Sequence, residues 1–215
     1  MESAAISEAL KIISYSMFTG IIQSLGTVQA RESRGGDLHM TIKTNFKNMS
    51  GVHLGDSIAM DGVCLTVTSF KGDEVTVDVS VETVNKTTVG DWQVGKVLNL
   101  EPALTLQDQL GGHLVSGHVD AVGKCLSRTA SARSEVFSFK IPAELDKFVA
   151  VKGSITINGT SLTVNTVDQG VLSVNLVPHT LEHTNLGALQ AGDAVNVEID
   201  TVARYVEKML ACQSN

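Results

Sequence analysis

Aromatic residues make up only 4% of this 215-residue chain, and proline occurs three times. A shortage of large rings, together with frequent short runs of Val, Thr and Ile, favours strands over a large helical bundle. Positive charge is also in short supply, with 16 Lys and Arg against 23 Asp and Glu and a net charge of -7. That balance leaves no basic stripe to neutralise nucleic-acid phosphates, so no nucleic-acid partner is expected. The only cysteines are Cys64, Cys125 and Cys212. An odd count without CxxC spacing suggests neither a disulfide framework nor a zinc cage, and it fits a reduced, cytoplasmic setting with no metal. No apolar run is long enough to cross a bilayer. The opening MESAAISEALKIISYS lacks the basic start of an export signal, so no membrane association is expected either. Without a secretory route the tripeptides at Asn48, Asn85 and Asn158 have no glycosylation donor. Residues 1–16 read as an extension ahead of a natural start at Met17.

What the chain does contain is one segment written twice. SIAMDGVCLTV at Ser57 to Val67 returns as SITINGTSLTV at Ser154 to Val164, and the offset stays constant without a gap from Met17/Leu114 to Glu101/Glu198. Two homologous halves follow from that register. Asp61-Gly62 and Asn158-Gly159 are hairpin dipeptides, because these residues accept the positive φ of a type I′ turn. Val75, Val77, Val79 and Val81 alternate with polar neighbours, as do Leu172, Val174 and Leu176. Each half reads as about six short antiparallel strands, which close into a barrel to remove their edges. The expected fold is therefore all-β: two six-stranded antiparallel Greek-key barrels, 17–113 and 114–201, then a C-terminal α-helix over 202–215. In that helix Val202, Tyr205, Val206, Met209 and Leu210 share one face and suit packing against another subunit or across the barrels.

The halves differ at informative places. Gly20, Gly62, Leu65, Thr66 and Val67 match Gly117, Gly159, Leu162, Thr163 and Val164, whereas Cys64 stands opposite Ser161, Ile21 opposite His118 and Phe18 opposite Val115. Such a pattern suits one ligand held twice, with different duties. Cys64 alone reads first as a small buried hydrophobe and second as a nucleophile or proton carrier, and its polar twin Ser161 weakens the first reading. His113 and His118 offer general acid or base groups, since imidazole titrates near 6.5. Five residues along a strand point to opposite faces, so they are not a metal pair. His179 and His183 have zinc-like i, i+4 spacing, but their twins are Glu82 and Lys86, and surface histidines are the preferred reading. Ser57, Ser154, Thr66, Thr163, Thr83 and Thr180 are singly ordinary strand residues. As in-register pairs they suit a ligand rich in amide edges and hydroxyls, such as a pteridine with a sugar-alcohol chain. Paired glycines let backbone approach its flat ring.

With MFTGII from Met17, DGVCLTV from Asp61, GGHLVSGHVD from Gly111 and NGTSLTV from Asn158 in this order, the chain resembles riboflavin synthase of the alpha-chain type from Met17 to roughly Ala211. The resemblance implies a cofactor-free dismutation in which two molecules of 6,7-dimethyl-8-ribityllumazine exchange a four-carbon unit, giving riboflavin and 5-amino-6-ribitylaminouracil. It also implies a homotrimer held by the C-terminal helix through Tyr205, Val206, Met209 and Leu210. Active sites then form between the N-barrel of one subunit and the C-barrel of the next, and association with lumazine synthase is a further possible partnership. Carried over by motif, the first pocket uses Gly20, Ile21, Ile22, Cys64, Leu65, Thr66 and the run Asp78, Val79, Ser80, Val81, Glu82 and Thr83. The second uses Gly117, His118, Val119, Lys152, Ser161, Leu162, Thr163 and the run Asn175, Leu176, Val177, Pro178, His179 and Thr180. Phe18 resembles the family phenylalanine at the reaction centre, stacking on or closing over the ring. Ser57, Cys64, His113, His118, Ser161 and Asp200 resemble the polar positions of turnover. In the implied mechanism one lumazine loses a proton from its C7 methyl, while water, Ser161 or Cys64 adds to C7 of the other. Either His113 or His118 moves the proton. The rival reading is a non-catalytic lumazine or flavin antenna protein on the same plan.

Overall fold

The computed structural model describes residues 16–49 and 51–213. The extension expected over 1–16 lies, except for Ser16, outside the described residues.

In the first half the strands are β1 (Ser24–Arg34), β2 (Asp37–Lys43), β3 (Ser57–Met60), β4 (Val63–Lys71), β5 (Glu74–Val79) and β6 (Val97–Pro102). They close in the order β1-β2-β5-β4-β3-β6, with every pairing antiparallel. The second half repeats this with β7 (Ala121–Ser131), β8 (Ser134–Lys140), β9 (Ser154–Ile157), β10 (Thr160–Asp168), β11 (Val171–Leu176) and β12 (Ala194–Ile199), closing as β7-β8-β11-β10-β9-β12. Closure leaves no free sheet edge in either Greek-key order. Alternation places Val75, Val77 and Val79 inside the first barrel with Met40, Ile42 and Trp92, and Leu172, Val174 and Leu176 inside the second with Phe137 and Phe139. Burying such an aliphatic side chain contributes about 1.5–3 kcal/mol. Both hairpin dipeptides take the expected conformation: φ is 44° and 80° at Asp61 and Gly62, and 45° and 77° at Asn158 and Gly159.

Val81 departs from the alternation that it continues in sequence. Strand β5 ends at Val79, and Ser80 caps a short helix, α1 (Val81–Lys86), by accepting from the Thr83 N–H. A hydroxyl cap satisfies an otherwise orphaned donor, which outweighs one more strand residue and leaves Val81 exposed. The second half does the same with α2 (Pro178–His183), where proline at the first position serves as the starter. The C-terminal helix is α3 (Thr201–Gln213), and no helix among the described residues is long and apolar enough to cross a membrane.

A pseudo-twofold relation joins the barrels through reciprocal bonds. Phe18 and Val115 exchange backbone hydrogen bonds of 2.8 and 3.0 Å. The Asn99 side chain donates to the Asn158 carbonyl at 2.8 Å, and its twin Asn196 donates to the Asp61 carbonyl at 2.9 Å. At the centre the two turns touch: a Cβ on Gly62 would lie 2.7 Å from the Gly159 nitrogen, and one on Gly159 equally close to that of Gly62. No larger residue fits at either position.

Candidate active site

Each half sends its opening loop onto the other half. The Ser161 N–H donates to the Gly20 carbonyl at 2.8 Å, and the Cys64 N–H donates to the Gly117 carbonyl at 2.9 Å. Two buried carboxylates hold these loops in place. Glu101 accepts from the Thr19 N–H and hydroxyl and the Gly20 N–H at 2.6–2.9 Å. Its twin Glu198 accepts from the Ser116 N–H and hydroxyl and the Gly117 N–H at 2.6–3.0 Å. Burial raises the pKa of both carboxyls, and these hydrogen bonds oppose the rise. Sequence comparison met both residues only as ends of the repeat frame. Their role becomes visible once the loops are seen to cross.

On the C-barrel, Ser161 begins the ascent of β10 just after the tight turn, and its Oγ is 2.7 Å from His113 Nδ1. The other ring nitrogen, Nε2, is 3.2 Å from Thr156 Oγ1. With Nε2–H donated to Thr156, the Nδ1 lone pair faces the Ser161 hydroxyl, which is the arrangement of a general base beside a nucleophile. Burial lowers the pKa of His113, and the Asp200 carboxylate pulls weakly the other way, so the ring is neutral at pH 7. Asp200 also accepts from the Val202 N–H at the head of α3. Gly112 makes the close approach possible, since a Cβ there would lie 2.1 Å from the Thr19 carbonyl and 2.8 Å from Ser161 Cβ.

The equivalent corner of the N-barrel holds Cys64, Ser57 and Ser16, the twins of Ser161, Ser154 and His113. Ser16 donates to Ser57 Oγ at 2.7 Å, and both hydroxyls oppose the rise in the Cys64 pKa. Burial pushes the Cys64 pKa up, so its thiolate is disfavoured. His118 does not join His113. It is exposed and lines a cleft of about 740 Å³ with Ser57, Cys64, Ser116, Val119, Arg204 and Tyr205. A second cleft, of about 880 Å³, is lined by Ile21, Ser57, Thr66 and the 101–111 connection. Either volume is in the range of a single small-molecule site.

The remaining expected positions divide by the alternation of their strands. Thr66, Asp78, Thr163 and Asn175 stand on outer faces, whereas the Leu65, Val79, Leu162 and Leu176 side chains belong to the cores and leave only backbone to a ligand. Phe18 is fully buried against Ala59 and Val115, and its ring lies under Gly117 instead of facing a cleft. Lys152 takes a left-handed φ of 67°, where its twin is Gly55. His179 and His183 are exposed on α2 with their Nδ1 atoms 3.0 Å apart.

Comparison with known proteins matches the lumazine binding domain family twice, over residues 19–103 and 116–200. The riboflavin synthase of Photobacterium leiognathi is 44% identical over 194 residues, 90% of this chain and 89% of its own. That of Mycobacterium tuberculosis is 42% identical over 198 residues, 90% and 98% of the two chains. Bacillus subtilis riboflavin synthase is 39% identical over 90% of each. Among solved structures, LumP complexed with 6,7-dimethyl-8-(1'-D-ribityl) lumazine superposes with a TM-score of 0.77 at 26% identity, covering 85% of this chain and 98% of that one. LumP complexed with riboflavin gives 0.78 at 28%, with the same coverage. Two crossed lumazine binding domains, a Ser–His pair on one side only, and matches of this length together place the chain in the riboflavin synthase family.

Proposed function

We propose that this protein converts two molecules of 6,7-dimethyl-8-ribityllumazine into riboflavin and 5-amino-6-ribitylaminouracil by transfer of a four-carbon unit. All atoms of two substrates appear in the two products, so the exchange consumes no external oxidant or reductant. The observation that carries the reading is the Ser161–His113–Thr156 chain, present on one barrel and absent from the other. His113 accepts the Ser161 proton as Oγ adds to C7 of one lumazine, and the acidified C7 methyl of the other supplies the carbanion. General base assistance of this kind contributes about 100- to 10,000-fold. Orientation of two rings contributes further, since effective molarities reach about 10⁵ M or more. The His113 base at 2.7 Å from its Oγ favours Ser161 as the attacking group, and burial disfavours the Cys64 thiolate.

The active assembly in this reading is a homotrimer seamed by α3, in a cytoplasmic setting. Support for the seam comes from its apolar face, where Val202, Tyr205, Val206 and Met209 are 50–67% exposed. Support for the setting comes from the three free cysteines. A protein that only binds the lumazine has no use for a base poised at a half-buried hydroxyl, which is why turnover is the preferred reading. Incubating the purified chain with the lumazine and following riboflavin fluorescence tests it: steady product is expected, and no product at micromolar enzyme over hours overturns it.

A further inference from the structure

A row of polar side chains crosses the outer face of the N-barrel. Strand pairing sets Ser57 opposite Thr66 and His39 opposite Asp78, and the Val67–Val77 pair sets Asp78 beside Thr66. Ser57 and Thr66 line the larger cleft, so the row leads from that cleft out to His39 on β2. His39 Nδ1 holds Asp78 Oδ1 at 2.6 Å. On the C-barrel the same row reads Ser154, Thr163, Asn175 and Val136. Two members are identical in kind, and the other two are replaced by an amide and a hydrocarbon.

We infer that His39 is a positioning residue: it holds the Asp78 carboxylate so that its second oxygen accepts from a hydroxyl of the ligand's polyol chain, giving the N-barrel a stronger hold on that chain than the C-barrel has. The inference rests on the lumazine reading above. An ionised carboxylate only accepts, and in the open it rotates among water partners. Tying Oδ1 to His39 fixes the plane of the group and leaves Oδ2 free for a donor, at a hydrogen bond stronger than a neutral one. Asn175 faces Val136, which offers it no hydrogen bond. The two barrels therefore bind the same ring with unequal grips on its chain.

The test compares ligands with and without the chain hydroxyls on the intact protein. Affinities for 6,7-dimethyl-8-ribityllumazine and for 6,7,8-trimethyllumazine are measured by fluorescence titration, alongside kcat and KM for turnover, in the parent, His39→Val, which copies the twin, and His39→Asn, which keeps a donor. Expected is a loss of about three- to fivefold in the tighter ribityl-ligand affinity and a matching rise in KM for His39→Val, in line with a partly exposed imidazole–carboxylate contact. The trimethyl ligand is unaffected, kcat changes less than about twofold, and His39→Asn restores most of the affinity. An equal loss for both ligands, or none for either, overturns the role of His39 while the parent still makes riboflavin. Failure of the parent to bind or convert the lumazine overturns the functional reading and this inference together.

Discussion

His113 Nδ1 lies 2.7 Å from Ser161 Oγ, while the residue in the place of His113 on the other barrel is Ser16. In the proposed mechanism the duplicated frame thus carries one base at a nucleophile, and the roles of the two halves divide there. Ser161→Ala and His113→Ala are each expected to lower kcat by about 100-fold or more, whereas Cys64→Ser lowers it by less than about tenfold. Single-turnover formation of riboflavin measures all three. Because burial lowers the pKa of His113, the acid limb of the parent's rate profile falls below the ordinary imidazole range.

Asp61 is a buried ionisable group at the pseudo-dyad and stands where the other half has Asn158. Burial pushes its pKa up to about 7, against about 3.9 in an unfolded chain. Between those values the folded protein holds a proton that the unfolded chain releases, so stability falls as pH rises from about 4 to about 7 and stays reduced above it. Asp61→Asn removes that dependence. A gain on the order of 4 kcal/mol at pH 8 and little change at pH 4 is expected from denaturation at both pH values.

Gly112 bears on catalysis and on folding together, because the nearest atom a methyl would meet is a backbone carbonyl. Gly112→Ala pushes a methyl toward the Thr19 carbonyl and Ser161, so the Ser161–His113 distance opens. Activity should drop by more than about tenfold, since small misplacements are costly in an oriented site. Gly62→Ala acts on stability, because φ there is 80° and the facing turn is in contact. A loss of roughly 2–4 kcal/mol is expected in urea denaturation.

Charge placed on α3 tests the proposed homotrimer. Met209→Asp or Val206→Asp should shift the light-scattering mass from three chains of 22.8 kDa to one, and reduce turnover with it. An unchanged mass in both variants removes α3 as the seam.

Much of this architecture was legible in the residues. Barrel strands, both hairpins and the terminal helix followed from alternation, Asp-Gly and Asn-Gly dipeptides and i, i+4 spacing, all of which are local signals. Val81 misled because alternation cannot weigh a Ser80 hydroxyl cap against one further strand residue. The partner of His113 was hidden for another reason: Ser161 is 48 positions away, and nothing in the spacing of His113 and His118 points to it. Glu101, Glu198 and Asp61 were missed as functional residues because each acts on a loop or turn brought close only by the crossing of the halves.

That crossing changes how the repeat itself is to be understood as a unit of inheritance. The wall beside Ser161 is supplied by the Gly20 loop, and the wall beside Cys64 by the Gly117 loop. A change in either loop therefore alters the surroundings of a side chain that belongs to the other copy. Neither repeat is a self-contained pocket, and a substitution in the first half is to be judged by what it does to the Ser161 corner of the second.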